Sequence, residues 1–148
     1  MKVTVAQIER FLREVDTAFP IPLSQKQDLH AFASKLWERA TVCCVMEQEE
    51  IAAMVAGYTE HLTDNMAYIS IVATRAAFQG RGFALRLLGE FMEICRQKEA
   101  DAVHLYVVPS NLGALRLYEK MGFVPWQLPN EPRPNDLHMI YYFGDKKR

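Results

Sequence analysis

The chain has 148 residues, of which 50% are hydrophobic and 24% charged. That length suits one domain large enough to bury its own core, and the composition excludes a fibrous or disordered chain. The formal net charge is -1 and the only basic run is the terminal Lys146-Lys147-Arg148, so nucleic acid is not an expected partner.

The opening MKVTVAQIERFLREV interleaves charges with apolar residues. It therefore lacks the roughly 7–15-residue apolar stretch of a secretory signal, and no stretch approaches the ~20 apolar residues of a membrane span. The expectation is a cytoplasmic protein with no membrane partner. Cys43, Cys44 and Cys95 show no CxxC or other metal spacing, so they read as reduced packing residues and no metal is implied.

Thr4 followed by Gln7, with Ile8, Phe11, Leu12 and Val15 behind, has the pattern of a capping box opening an amphipathic helix. FPIPL stops that helix, because each proline disfavours the helical conformation of the residue before it. Ser24 with Gln27 repeats the capping signal, and Leu29, Phe32, Ala33, Leu36 and Trp37 predict a second helix to about Ala40.

The period then becomes extended. TVCCVMEQ and IAAMVAGYTEHL, separated by acidic residues, predict a hairpin, and AYISIVAT a third strand. Ala84, Leu87, Leu88, Phe91, Ile94 and Cys95 form one face of a third helix. AVHLYVV reads as a strand covered on both faces, ended by Pro109. A fourth helix over 112–120 stops at Gly122, and FVPWQL and LHMIYYF flank the turn-rich PNEPRPND as two last strands.

This order implies an α/β fold in one domain over 1–148. Residues 1–40 supply two N-terminal helices, and 41–143 supply a mixed sheet with helices on both faces.

Between the third strand and the third helix lies QGRGFA, where two glycines meet a helix start. Glycine costs a helix up to about 1 kcal/mol relative to alanine, so the pair points to a demand on the backbone itself. A helix start offers unpaired N–H groups and the positive end of the peptide dipoles, and glycines allow close approach of phosphate oxygens. Arg81 could add a charge-assisted contact. No GxxxxGK loop exists, and the dinucleotide pattern GxGxxG fails because Leu85 holds the third glycine position.

What remains is Gln79-Gly80-Arg81-Gly82-Phe83-Ala84, a Q-x-x-G-x-A string. Downstream, Asn111, Ala114, Leu117, Tyr118, Gly122 and Phe123 form N-x-x-A-x-x-L-Y-x-x-x-G-F. Together these strings resemble the two signatures of the GCN5-related N-acetyltransferase (GNAT) superfamily, over roughly residues 40–143. The resemblance implies a mostly antiparallel sheet and acetyl-CoA as co-substrate. Residues Gln79 to Ala84 would hold the pyrophosphate of coenzyme A, and the backbone of Val72, Ala73 and Thr74 its pantetheine arm. Asn111 matches an asparagine that helps to bind the cofactor, and Tyr118 matches the tyrosine that protonates the departing thiolate.

The implied chemistry is coherent. An amine with a pKa of about 10 must lose a proton before it can attack a thioester, and a fixed backbone N–H would stabilise the charge that then grows on the carbonyl oxygen. Tyr118 also falls in a Leu112, Leu115, Tyr118 helical stripe and could be a core residue, and Asn111 could be only a helix cap. Likewise the glycine turn could be only a left-handed connection, with Arg81 a solvated side chain.

For the general base, some family members carry a glutamate where this chain has Tyr106. His104 shares the strand face of Tyr106, and His138 and Glu60 are the candidates kept for proton removal. Ala76 replaces a frequent proline, and only Met1 to Val3 remain for the usual first strand, so a partner chain in a homodimer could cover that edge. The expected function is acetyl transfer to a primary amine of a small molecule such as an amino sugar or amino acid. The alternative is a non-catalytic acyl-CoA sensor or interaction module, which would need the glycine loop but not Tyr118.

Overall fold

Helix α1 (Val5–Val15) begins as its cap predicts in the computed structural model, which describes residues 3–144. The Thr4 hydroxyl accepts from the Gln7 N–H at 3.1 Å, and Gln7 Oε1 accepts from the Thr4 N–H at 2.9 Å. Two orphan donors are thus satisfied, and Ile8, Phe11, Leu12 and Val15 are buried along one stripe.

The second capping signal is corrected. Ser24 lies in a short 3-10 turn, where its N–H and its hydroxyl both donate to the Asp16 carboxylate. Asp28 instead caps α2 (Leu29–Arg39), accepting from the Ala31 N–H at 2.8 Å. With Ser24 committed to Asp16, the aspartate directly before Leu29 is the free cap. Trp37 also leaves the expected stripe: it is 53% exposed, and its indole N–H donates to the Val3 carbonyl.

Six strands form one sheet: β1 (Thr41–Glu47), β2 (Glu50–Thr63), β3 (Met66–Thr74), β4 (Ala102–Val107), β5 (Val124–Pro125) and β6 (Leu137–Tyr142). Their order is β1-β2-β3-β4-β6-β5, and every pairing is antiparallel except β3 with β4. A parallel neighbour requires a crossover, which α3 (Phe83–Gln97) supplies. Helix α4 (Leu112–Met121) follows β4 and ends at Gly122 in the left-handed region.

One face of the sheet packs against α1 and α2 through Ile51, Met54, Ala56 and Ile71. The other packs against α3 and α4 through Val55, Leu87, Phe91, Leu105 and Tyr118. Each fully buried aliphatic or phenylalanine side chain contributes roughly 1.5–3 kcal/mol, so two cores on one sheet fix its orientation between the helix layers.

Three further expectations change. The strand read over FVPWQL shrinks to Val124–Pro125, because Pro125 has no N–H to continue a ladder. Strand β4 is covered fully on one side only: Val103, Leu105 and Val107 are buried, whereas His104 and Tyr106 are half-buried on the other face. Of the Leu112, Leu115, Tyr118 stripe only Tyr118 is buried. The first-strand question falls on Met1 and Lys2, which lie outside the described residues, as does the terminal Lys146-Lys147-Arg148. Among the described residues β1 is the sheet edge.

Two features of β3 prepare a site. Ala56 pairs with Ile71 but Gly57 pairs with Ile69, so Ser70 is an extra, bulged residue. A bulge bends and twists its strand. Gly57 permits this bend at close range, since a Cβ there would stand 2.2 Å from the Tyr68 carbonyl oxygen and 2.8 Å from the Phe91 ring. Beyond the bulge β3 leaves β4: the two share only Met66–Ala102, Ala67–Val103 and Tyr68–His104 pairs.

Candidate functional site

The divergence of β3 from β4 leaves the edge of Val72, Ala73 and Thr74 without a ladder partner on the β4 side. Into the opening faces the glycine loop. Gln79 ties that loop to the strand end, its Nε2 donating to the Thr74 carbonyl at 3.2 Å. Gly80 and Gly82 have φ of 83° and 79°, values that an L side chain adopts only with strain. Gly82 occupies the N-cap of α3 with no side-chain cap, so the first-turn N–H groups stay open. A Cβ at either glycine would meet nothing within 4 Å, so the backbone there borders free space.

That space is a cavity of about 530 Å³. Its walls include Val72, Ala73, Thr74, Gln79, Gly80, Gly82, Phe83 and Ala84 on one side, and Asn111, Ala114, Leu117 and Tyr118 on the other. Residues brought together from β3, the loop, α3 and α4 were joined in sequence only by two short strings. Arg81 is the exception among the expected cofactor residues: it does not line the cavity, and its guanidinium lies 5.1 Å over the Phe78 ring, itself a wall residue.

Asn111 is the cap that its position before α4 allows. Its Oδ1 accepts from the Ala114 N–H at 3.3 Å as the cap of α4, and it lines the cavity. Tyr118 is 7% exposed and packs 5.9 Å from the Phe123 ring. Its hydroxyl has no hydrogen-bond partner among the described residues. A buried unpaired hydroxyl is costly, and burial also pushes the phenol well above its ordinary value, so it stays protonated as a donor. An open anion-sized backbone cradle and an orphan donor facing one cavity fit a phosphate-bearing ligand with a reactive end near Tyr118.

A smaller cavity of about 100 Å³ adjoins the first and shares Phe19, Val72, Asn111, Ala114 and Tyr118 with it. It reaches from the connection between α1 and α2, at Phe19 to Lys26, to Arg133 and Asp136 in the loop before β6. Tyr68, Ser70 and Tyr106 form its floor.

Behind Tyr106 lies a part-buried polar network. The Tyr106 hydroxyl donates to Glu131 Oε1 at 2.9 Å, and Glu131 Oε2 accepts from the Leu128 N–H and contacts His138 Nδ1, each at 2.8 Å. His138 Nε2 in turn stands 2.8 Å from His104 Nδ1. Burial raises the Glu131 carboxyl, but hydrogen bonds from His138, Leu128 and Tyr106 outweigh that and hold it below the usual range. Burial and the neighbouring His138 push His104 down to about 4, while burial and the Glu131 hydrogen bond push Tyr106 up to about 12.

Neither proposed base lines the larger cavity. His138 is 4% exposed and reaches the smaller cavity only through Glu131 and Tyr106. Glu60 is paired with Lys98 and lines neither of these two, but it shares a third cavity, of about 600 Å³, with His138, His104 and Tyr106. Glu131 is the residue that sequence reasoning missed. Nothing in PNEPRPND marks it, because its three partners come from β4, β6 and its own loop.

Comparisons with known proteins bear on this geometry. The family model described as Acetyltransferase (GNAT) family matches residues 8–123. A mycothiol acetyltransferase from Brachybacterium faecium is 41% identical over 61 residues, or 41% of this chain and 18% of that protein. The chain spans about a fifth of the length of the curated relatives it matches. A GNAT-family acetyltransferase from Staphylococcus aureus superposes with a TM-score of 0.76 at 12% identity, covering 96% of both chains. The PaiA N-acetyltransferase of Thermoplasma acidophilum, solved in complex with coenzyme A, gives 0.73 at 13% identity over 97% of both. At these identities the structural likeness is one of fold.

Proposed function

The chain belongs to the acetyltransferase (GNAT) family, and on that premise we propose that it moves an acetyl group from acetyl-CoA to a primary amine of a small molecule. The observation that carries this reading is the single cavity in which the glycine loop, the unpaired edge of β3 and the orphan Tyr118 hydroxyl meet. A relative of the same fold solved with coenzyme A supports it.

When bound, acetyl-CoA supplies an acetyl group activated as a thioester. The open N–H groups at Gly80, Gly82 and the first turn of α3 hold its phosphates, and the backbone of Val72, Ala73 and Thr74 bonds the arm between them and the reactive end. A β3 N–H offered to the thioester oxygen stabilises the charge that develops there, a contact worth roughly 100- to 1000-fold in rate. Tyr118, kept protonated by burial, donates its proton to the leaving sulfur.

Of the two candidate bases, His138 has the physical link. Tyr106 borders the smaller cavity and donates to Glu131, which contacts His138, so this hydrogen-bonded chain links the amine's position to the histidine that would receive its proton. Glu60, engaged by Lys98, lines a separate cavity of about 600 Å³ together with Tyr106 and His138 but makes no hydrogen bond to either.

The test is CoA release from acetyl-CoA across a panel of primary amines, with acetyl-CoA binding measured separately and pH–rate profiles recorded for the parent and His138→Asn. Amine-dependent release is expected. Binding of acetyl-CoA with no release from any amine would favour a sensing module instead. A His138→Asn profile that overlays the parent's removes His138 from the proton path.

A further inference from the structure

The smaller cavity carries a charge pattern that acetyl transfer alone does not require. Three charged side chains line it, Lys26 from the connection between α1 and α2 and Arg133 and Asp136 from the opposite wall. Two cations face one carboxylate. Lys26 is exposed, and its side chain has no hydrogen bond or ion pair among the described residues. Arg133 lies 4.0 Å from Asp136, beyond hydrogen-bond reach, and its guanidinium rests 5.3 Å over the Tyr106 ring. The guanidinium is thereby placed beside the cavity while its N–H donors make no hydrogen bond among the described residues, which leaves them open to an oxyanion.

Position strengthens this. The first cavity already offers the glycine loop to the phosphates of a cofactor, whereas Lys26, Arg133 and Asp136 line the second and not the first. The two cavities meet at Asn111, Ala114 and Tyr118, where the reacting groups must come together. A molecule that presents its amine at Tyr118 therefore extends its far end toward Lys26 and Arg133.

We propose that the acceptor is an amine that also carries an anionic group, a carboxylate or a phosphate, held between Arg133 and Lys26. This rests on the acetyl-transfer reading above. An amine without such a group would leave the two cations balanced by a single carboxylate, Asp136.

The experiment compares matched acceptors in the CoA-release assay: β-alanine against propylamine, and a phosphorylated amino sugar against the same sugar without phosphate. Parent, Arg133→Gln and Lys26→Met are measured with each pair. Both side chains are exposed, so the variants are expected to fold. In the parent, one anionic acceptor is expected to exceed its neutral partner in kcat/KM by about 10- to 100-fold, the range for a charged hydrogen-bonded contact. In each variant that ratio is expected to fall toward one, through KM of the anionic acceptor. The pair that shows the preference identifies carboxylate or phosphate.

Neutral amines used as well as their anionic partners would overturn the proposal and leave acetyl transfer standing. So would a variant whose main effect is a raised KM for acetyl-CoA, since the cations would then serve the cofactor. Acetyl-CoA binding with no turnover of any amine would overturn both readings together.

Discussion

Replacing Tyr118 by phenylalanine separates catalysis from stability, because the hydroxyl has no hydrogen-bond partner among the described residues and its proposed task is proton donation. The ring is 7% exposed, packs on Phe123 and fills its place equally well as phenylalanine. Its hydroxyl makes no bond to the described residues, so removing it relieves an unpaired buried polar group, worth roughly 1–3 kcal/mol when fully desolvated. Part of that relief is forfeited because the hydroxyl borders the cavity. The variant should therefore melt at or slightly above the parent temperature. Loss of a positioned proton donor costs about 100-fold or more in kcat, with KM for acetyl-CoA little changed. Steady-state CoA release with an accepted amine and a thermal melt supply both numbers. A kcat within about threefold of the parent would refute the proton-donor assignment, as this is well below the usual contribution of such a group. A melting temperature lowered by several degrees, equivalent to about 1 kcal/mol or more, would refute the unpaired hydroxyl.

Two further predictions concern the scaffold. Gly57→Ala places a Cβ 2.2 Å from the Tyr68 carbonyl oxygen, a backbone atom, and should cost about 3 kcal/mol. Gly89→Ala, in the middle of α3 with nothing within 4 Å, should gain about 0.5–1 kcal/mol, so the two urea midpoints should move in opposite directions. Equal midpoints would contradict the packing at the bulge. His104 has a folded value near 4 against an ordinary 6.5, so the unfolded chain binds its proton first. Stability should fall as pH drops through that window and level off below it, and His104→Gln should flatten this part of a urea-midpoint series. Glu131 acts in a different window. Its lowered value adds stability above the ordinary carboxyl range, which is lost only as pH falls through the folded value. An unaltered slope in His104→Gln would show that another group titrates there.

The residues that proved legible in advance act through their immediate neighbours along the chain. Thr4 and Gln7 cap α1, Gly122 ends α4, and Gly80 and Gly82 take left-handed conformations before α3, all within a few residues of the groups they serve. The same locality explains the failures. Ser24 looks like a cap until Asp16, on another turn of chain, claims it. Trp37 looks like a core residue until α2 packs with that edge outward.

The candidate site divides the same way. Both ends of the candidate cofactor cavity could be read from strings of sequence because a glycine loop and a helix cap are local conformations with their own residue requirements. That the strings face each other across one cavity was decided by the β3 bulge at Ser70 and the parting of β3 from β4, which depend on pairing between distant strands. The Tyr106, Glu131, His138 and His104 network and the lining of one cavity by Lys26 and Arg133 also lie beyond any local pattern. Sequence determined the elements, their caps and the loop chemistry, since backbone preference and hydrophobic period are short-ranged. Tertiary structure alone decided which polar groups are buried together, because that depends on packing between elements far apart in the chain.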